Sequence, residues 1–391
     1  MTPATRRWLV AAGLLGFGQQ LFVVLRNPYV LAAGYSDVLV ARVQGAGGAA
    51  GVLAGLLGLF ALRRMRDATV LTIAVAANAG GFALQLATPQ PVVLFAGAAL
   101  AGLGIQGITM ATAPFLTRQS TPNDRVAVFA AHALALQAIP GALGALTAGY
   151  AERAAQDATG SVVDAHRLAL ALGVLAVGTA LVPLALARSA AAPEPLAPRR
   201  HRLRDPRGVA RLLAPDLLVF AANGVSVPFL QIYFERRFAL SPASVGAIYA
   251  TAMVAAIAPH FISPRIAKRF GSESTTMFAH GVATTGLAAL ALATTPAVAV
   301  TAFVVRQIAA SAAAPLYTSV LHTRVHADDS APAASYRMIA QSVAWAAANF
   351  AAGPIVAQFG FGALLACAAA THAAAVALER VAFASVAPPA A

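Results

Sequence analysis

Long apolar runs free of Asp, Glu, Lys and Arg dominate the chain, and their lengths predict membrane-spanning helices. A bilayer helix needs about 20 predominantly apolar residues. Trp8–Leu25, Val43–Leu62, Val126–Ala151, Leu168–Ala187, Leu217–Phe234 and Phe238–Pro264 each fit one span. Ala68–Thr117 is long enough for two, with Thr88-Pro89-Gln90-Pro91 as the turn between them. A second pair runs from Ser274 to about Val320, broken at Thr295-Pro296 and interrupted only by Arg306. A third, Met338–Leu378, breaks at Gln358-Phe359-Gly360-Phe361-Gly362. The pattern predicts an all-α membrane protein of twelve transmembrane helices. The run after Arg6-Arg7 is read as the first helix and not as a cleaved signal peptide, because it is long and no A-x-A site precedes a soluble domain.

Composition strengthens this reading. Of 391 residues, 59% are hydrophobic and 10% charged, with a mean hydropathy of +0.73. Soluble domains carry about 25% charged residues, so a normal cytosolic enzyme, a disordered chain and a fibrous one are excluded. The net charge of +13 is a topology signal and points to no nucleic acid. With the N-terminus inside, the Arg and Lys residues crowd the cytoplasmic loops, and only Arg153, Arg167, Arg236 and Arg237 fall outside. Arg26, Arg42 and Arg306 remain within the membrane. Both termini are therefore expected in the cytoplasm. One Lys against 26 Arg, with abundant Ala, suggests a GC-rich bacterial genome and hence an inner, cytoplasmic membrane.

The stretch Ala187–Arg211, with Pro193, Pro195 and Pro198 and an arginine cluster, reads as a cytoplasmic linker. It divides the chain into a six-helix bundle over 1–187, a linker over 188–211 and a second six-helix bundle over 212–391. The halves echo one another. Ala111-Thr112-Ala113-Pro114-Phe115-Leu116-Thr117 matches Ala312-Ala313-Ala314-Pro315-Leu316-Tyr317-Thr318 at a shift of 201. Helices five and eleven are read as starting near Arg125 and Arg337, with Pro140-Gly141 and Gly353-Pro354 following at similar distances.

In these features the chain resembles the major facilitator superfamily. The resemblance covers nearly the whole sequence: twelve spans, both ends inside, a long basic central loop and two parallel repeats. The family's loop between helices two and three reads G-x-x-x-D-x-x-G-R-[KR]. Gly58 and Arg66 are in register with it, whereas Leu62 replaces the Asp and Met65 the second Gly. The copy after helix eight keeps Arg269-Phe270-Gly271, with Lys268 where the Asp would stand. Gln106-Gly107 is similar to part of the family's helix-four motif, without its Arg. Gly141, Gly144 and Ala148 form a small-residue face similar to the glycine-rich helix five of drug antiporters. The resemblance implies two pseudo-symmetric bundles, an inner gate at Lys268 and Arg269, and a central path lined by helices one, four, seven and ten.

Polar side chains at bilayer depth are costly and default to functional readings. At about 1.5 Å per residue, Gln19 and Gln20 on helix one, Gln106 on helix four, Asn223 and Gln231 on helix seven, and Arg306 and Gln307 on helix ten lie near mid-depth. These seven are the candidate substrate-binding residues. The competing reading is that each amide holds helices together, as expected of Gln44, Gln137, Gln341 and Asn349. Arg26, Asp37 and Arg42 form a candidate outer ion-pair cluster or gate, and Glu235 ends helix seven at the outer water. His132, near the inner start of helix five, is the candidate proton relay. His132, His260, His280 and His372 are scattered over four helices, and the chain has a single cysteine, Cys367, so no metal site is expected. Asp216 and Glu379 are assigned to inner helix ends, leaving no carboxylate at mid-depth.

No H-E-x-x-H, G-x-S-x-G or G-x-x-x-x-G-K-[ST] occurs, so neither an enzyme nor an ATP-driven pump is expected, and no cofactor. The leading expectation is a secondary transporter, acting as a monomer, that moves a small organic solute by alternating access. An arginine at mid-depth, with no Asp or Glu read at that depth, suggests an anionic solute, and the small-residue face of helix five suggests export. A lipid or lysolipid translocator of the same architecture, with a cavity opening between helices two and eleven or five and eight, is the alternative. A transport-dead membrane sensor is the remote one.

Overall fold

A computed structural model describes residues 1–121, 124–190, 203–326 and 329–386. Among these the chain is helical, with no strand. The helices are α1 (Pro3–Ala32), α2 (Asp37–Arg64), α3 (Asp67–Ala87), α4 (Pro91–Arg118), α5 (residues 125–159), α6 (Val162–Ala187), α7 (Pro206–Phe238), α8 (Pro242–Phe270), α9 (Ser272–Leu292) and α10 (Pro296–Arg324). A 56-residue helical run, Ser330–Ser385, follows. It is interrupted at Gly360, whose φ of 77° and ψ of −179° are not helical. The break separates α11 (residues 330–359) from α12 (residues 361–385). Eleven of the described helical runs are long and apolar enough to cross a membrane, and the kink makes the last of them two crossings. The protein is thus a multi-pass membrane protein, with twelve such helices among the described residues.

Local chemistry explains the boundaries. Proline occupies the first turn of α1, α4, α7 and α10, where its missing N–H costs nothing. The side chains of Thr2, Asp205 and Thr295 cap α1, α7 and α10 by accepting from backbone N–H groups. Inside the helices proline marks irregular turns. A π-turn, Leu134–Ala138, precedes Pro140 in α5, a 3₁₀ turn, Val227–Phe229, contains Pro228 in α7, and α8 pauses at Ala256 before Pro259. Each proline removes one helical hydrogen bond and re-aims the chain beyond it.

The duplication is clearer in the helix starts than in the side chains. Asp37 and Pro242, Asp67 and Ser272, Pro91 and Pro296, and Arg125 and Ser330 open corresponding helices, each pair 205 positions apart. The side-chain match at a shift of 201 therefore lies one helical turn out of structural register. One turn returns a residue to the same helix face, so alanine-rich sequence fits either shift. Helix α11 begins at Ser330 and not at Arg337, which lies two turns inside it. Of the expected linker, residues 191–202 lie outside the described residues, and Pro206 already opens α7.

Two compact units divide the chain. The first comprises Met1–Ala197 with Gln231–Met253, and the second Pro198–Leu230 with Val254–Ala391. Within the first unit small residues allow close helix approach. A side chain on Gly18 would strike the Gly173 carbonyl of α6 at 2.6 Å, and Gly144 of α5 faces the backbone of Phe17 in α1. Large apolar side chains on the exterior, among them Leu292 at 80% exposure and Phe278 at 73%, face the solvent a membrane supplies. The backbone at Gly360 occupies a region essentially restricted to glycine. We expect Gly360→Ala to lower stability by about 1–3 kcal/mol, read as a lower melting temperature in detergent; an unchanged melting curve would show that the α11–α12 break tolerates a side chain.

Candidate functional site

In the second unit Arg306 lies ten residues into α10, about 15 Å along its axis, and is only 4% exposed. Glycine makes its position possible. A Cβ on Gly286 of α9 would fall 2.7 Å from Arg306 Cβ, so α9 and α10 meet at this level. The guanidinium donates to Asn223 Oδ1 of α7 through Nη2, and to Gln307 Oε1 at 3.5 Å through Nη1. Asn223 stands next to Gly224, where a side chain would strike the Trp345 carbonyl of α11 at 2.9 Å. It also sits one turn before the 3₁₀ turn of α7, so small-residue packing and a proline break together aim its amide at Arg306. Three of the seven expected binding residues thus form one hydrogen-bonded group.

Below this group, toward the α7 N-terminus, Arg337 of α11 grips Asp216 with two hydrogen bonds of 2.9 Å. Gln341 adds a third at 2.7 Å, and Arg337 also donates to Thr318 at 2.7 Å. Tyr317 donates to the Leu212 carbonyl and lies under the Arg337 guanidinium, 5.2 Å from it. Gln341 is the interhelical brace expected of it.

The same unit contains a polar group on α9 and α12. Glu379, fully buried, shares a hydrogen bond of 2.5 Å with His280 Nδ1. His280 and His372 meet ring to ring at 5.4 Å, and Thr284 Oγ1 lies 2.9 Å from His372 Nδ1. The expectation that these histidines are scattered is corrected here, since residues 280 and 372 converge when α9 packs on α12. No group of three or more metal-ligand side chains arises among the described residues.

In the first unit Gln19 donates to Asn78 Oδ1 of α3 at 3.2 Å, and Gln44 donates to Asn27 Oδ1 of α1 at 3.0 Å. Gln20 is buried and Gln106 half-buried. Gln231 accepts from the Tyr249 hydroxyl at 3.4 Å. Asp37 pairs with Arg236 at 2.9 Å, not with Arg26 or Arg42. Arg42 is exposed, and the Nε of Arg26 is buried without a hydrogen-bond partner among the described residues. Glu235 is half-buried beside Arg236. His132 stacks on Trp8 with ring centroids 5.8 Å apart, which fixes α5 against α1. At the end of α8 Lys268 and Arg269 are exposed, and Arg269 lies over the Phe270 ring at 5.2 Å.

Sequence reasoning missed one repeated device. Asp67, in the first turn of α3, binds Arg118 in the last turn of α4 at 2.9 Å. Glu273, in the first turn of α9, binds Arg324 in the last turn of α10. Both acids and both arginines are related by 206 positions. Each charge also complements its own helix dipole, acid at the N-terminus and base at the C-terminus. The signal was present as an acid opening one helix and an arginine closing the next, once per half.

The Asp216–Arg337 pair gives the sharpest energetic test. Removing one partner of a buried pair costs about 3–5 kcal/mol, whereas replacing both with apolar residues of similar volume is often neutral. We expect D216A to melt well below the native protein in detergent and D216L/R337M to recover most of the loss. A double variant as unstable as D216A would show that the two residues act separately.

Residues 160–349 match the family model described as Major Facilitator Superfamily. No curated protein matches the sequence significantly. Among solved structures the chain is similar to a bacterial homologue of the human lysosomal transporter Spinster, at 13% identity and a TM-score of 0.74, with 98% of this chain and 96% of that one covered. It is similar to the POT family transporter PepTSo, at 11% identity and a TM-score of 0.77, covering 98% and 99%. It is also similar to the human organic anion transporter MFSD10, at 14% identity and a TM-score of 0.68, covering 96% and 99%. The chain thus resembles the major facilitator superfamily in sequence over residues 160–349 and in fold along nearly its whole length.

Proposed function

We propose that this chain, with its major facilitator fold, is a secondary transporter that moves a small organic anion across a membrane by alternating access. The observation that carries the reading is Arg306. A full positive charge sits deep in a membrane helix, 4% exposed, and amide oxygens of Asn223 and Gln307 fix its orientation. A planar fork held in this way suits a carboxylate or phosphate oxygen pair. The name of MFSD10, an organic anion transporter, supports the same substrate class. Gln19, Gln20, Gln106 and Gln231 are assigned as further polar contacts for the solute along the path. Asp37 and Glu235 are assigned to the outer gate with Arg26 and Arg42, and Lys268 and Arg269 to the inner one. The arginine excess in alternate loops supports cytoplasmic termini in a bacterial inner membrane. Export is the direction we carry forward, and the protein acts as a monomer in this reading.

A second reading, a lipid translocator, draws on a different feature. A groove of about 530 Å³ between α9 and α10 is lined by Val282, Gly286, Ala289, Val298, Ala302 and Val305, among others. Val298 and Val305 are 49% and 39% exposed, so the groove opens on the apolar exterior, as an acyl chain would require.

The two readings separate in proteoliposomes. Flux of radiolabelled carboxylates should exceed that of matched cations and of short-chain phospholipids. Losing the fork in Arg306→Lys, or both fork and charge in Arg306→Gln, should reduce anion flux by about 10–100-fold, the worth of charge-assisted hydrogen bonds of ~1.5–3 kcal/mol, while both variants stay monodisperse. Full anion flux in Arg306→Gln, or a native protein that prefers cations, would remove the anion reading. Lipid flux that Arg306→Gln leaves intact would favour the second.

A further inference from the structure

Four polar side chains line up where α9 meets α12. On α12, His372 and Glu379 are seven residues apart, two turns along one face. On α9, His280 and Thr284 are four residues apart, one turn along the facing side. The first rung is Glu379 Oε1 with His280 Nδ1 at 2.5 Å, and the second is Thr284 Oγ1 with His372 Nδ1 at 2.9 Å. The two rungs touch through the imidazoles, 5.4 Å apart and nearly perpendicular. Glu379, His280 and His372 are 0%, 4% and 3% exposed.

The hydrogen bonds fix where protons are. The Thr284 hydroxyl has one hydrogen and donates it to the His280 carbonyl at 2.9 Å. Its oxygen therefore accepts from His372, whose Nδ1 carries a hydrogen, and a neutral His372 has Nε2 free to take a proton. Between Glu379 and His280 one proton lies in the hydrogen bond; the pair is neutral when His280 Nε2 also carries a hydrogen and anionic when it does not. Glu379 Oε2 is buried with no hydrogen-bond partner among the described residues. A carboxyl oxygen left in that state is a place for a second proton.

The chain of groups also points toward Arg306. Gly286, through which α9 contacts Arg306, lies half a turn past Thr284. The other titratable or charged groups around the cluster are Tyr317 of α10, whose ring lies 6.1 Å from that of His280, and behind it Arg337 of α11 with Asp216 of α7. Arg324 of α10 is engaged by Glu273 and by the carbonyls of Phe383 and Val386 near the α12 C-terminus.

We propose that Glu379, His280 and His372 form a proton-binding site whose occupancy is linked to an anion at Arg306. The proton enters as H⁺ and leaves as H⁺, carried on Glu379 Oε2 or His372 Nε2. Each added proton raises the positive charge of the cluster by one. An anion at Arg306 offsets that charge, so proton and anion bind together, and by reciprocity each raises the other's affinity. The coupling step rests on the anion reading of Arg306, whereas the proton site stands on the α9–α12 geometry alone.

The test uses the purified full chain in detergent. Infrared difference spectra across a pH titration should show a carboxyl or carboxylate band that E379Q abolishes. H372Q should keep that band and move its midpoint by about one pH unit, the effect of a nearby charge. An E379Q difference spectrum that matches the native one overturns the proton site. If E379Q is not monodisperse, H280N and T284V read the same band with the acid in place, and a midpoint indifferent to both overturns the assignment. Benzoate, succinate and inorganic phosphate are then added singly, with proton uptake followed by a pH dye. Uptake that the native protein shows and both R306Q and E379Q lack supports the linkage. Anion binding without proton uptake overturns the linkage, and no binding of any of the three, with the infrared band intact, overturns the anion reading while the proton site stands.

Discussion

Hydrocarbon offers no hydrogen bonds, and this constraint governs every polar group in the protein. A helix satisfies its own backbone, but a side chain must find its partner on another helix or at the interface. The buried ionic groups follow that rule: Asp216 takes three hydrogen bonds from Arg337 and Gln341, and Glu379 takes one from His280. Close approach is the price of such pairing, and small residues make it possible. Gly286 admits Arg306, and Gly224 seats α7 on α11 beside Asn223. A larger residue at either place would separate the helices and leave a charge facing lipid.

The repeated acid–arginine clasp follows from the same constraint at the helix ends. Asp67–Arg118 and Glu273–Arg324 each join the start of one helix to the end of the next. They close the hairpins α3–α4 and α9–α10, whose connections are short. At these positions water is near, the helix dipoles assist, and the pairs are cheap to form compared with one at mid-depth. Their recurrence at one shift, together with four pairs of helix starts 205 apart, shows that the duplicated unit conserved its framework of ends and turns while its helix faces diverged.

That divergence sets how much was legible in the sequence. Spans and turns could be read because lipid imposes a one-dimensional rule, a length of uncharged residues, and Gly360 and Pro91 punctuate it where expected. Arg306, Asn223 and Gln307 could be singled out because a polar residue inside such a run is conspicuous by itself. Partners could not be read. Asp37 chose Arg236, 199 residues away, over the nearby Arg26 and Arg42. His280 and Glu379 are 99 residues apart, and hydropathy gives no hint that α9 and α12 bring them together. The 201 shift failed for a related reason: alanine faces look alike one turn apart, so only the helix starts fix the register.

The two units have divided their polar chemistry unequally. In the first, two of the side-chain hydrogen bonds are amide to amide, Gln19 with Asn78 and Gln44 with Asn27, and a third joins the Tyr249 hydroxyl to Gln231. Such bonds hold helices at a fixed strength whatever the pH or the solute charge. In the second, Arg306 with Asn223, Asp216 with Arg337 and Glu379 with His280 all include an ionisable group. The strength of such bonds depends on the charge of their partners, because charge in a low-dielectric interior is felt over many ångströms. Among the described residues the amide pairs thus gather on α1–α3 and the ionisable pairs on α7 and α9–α12.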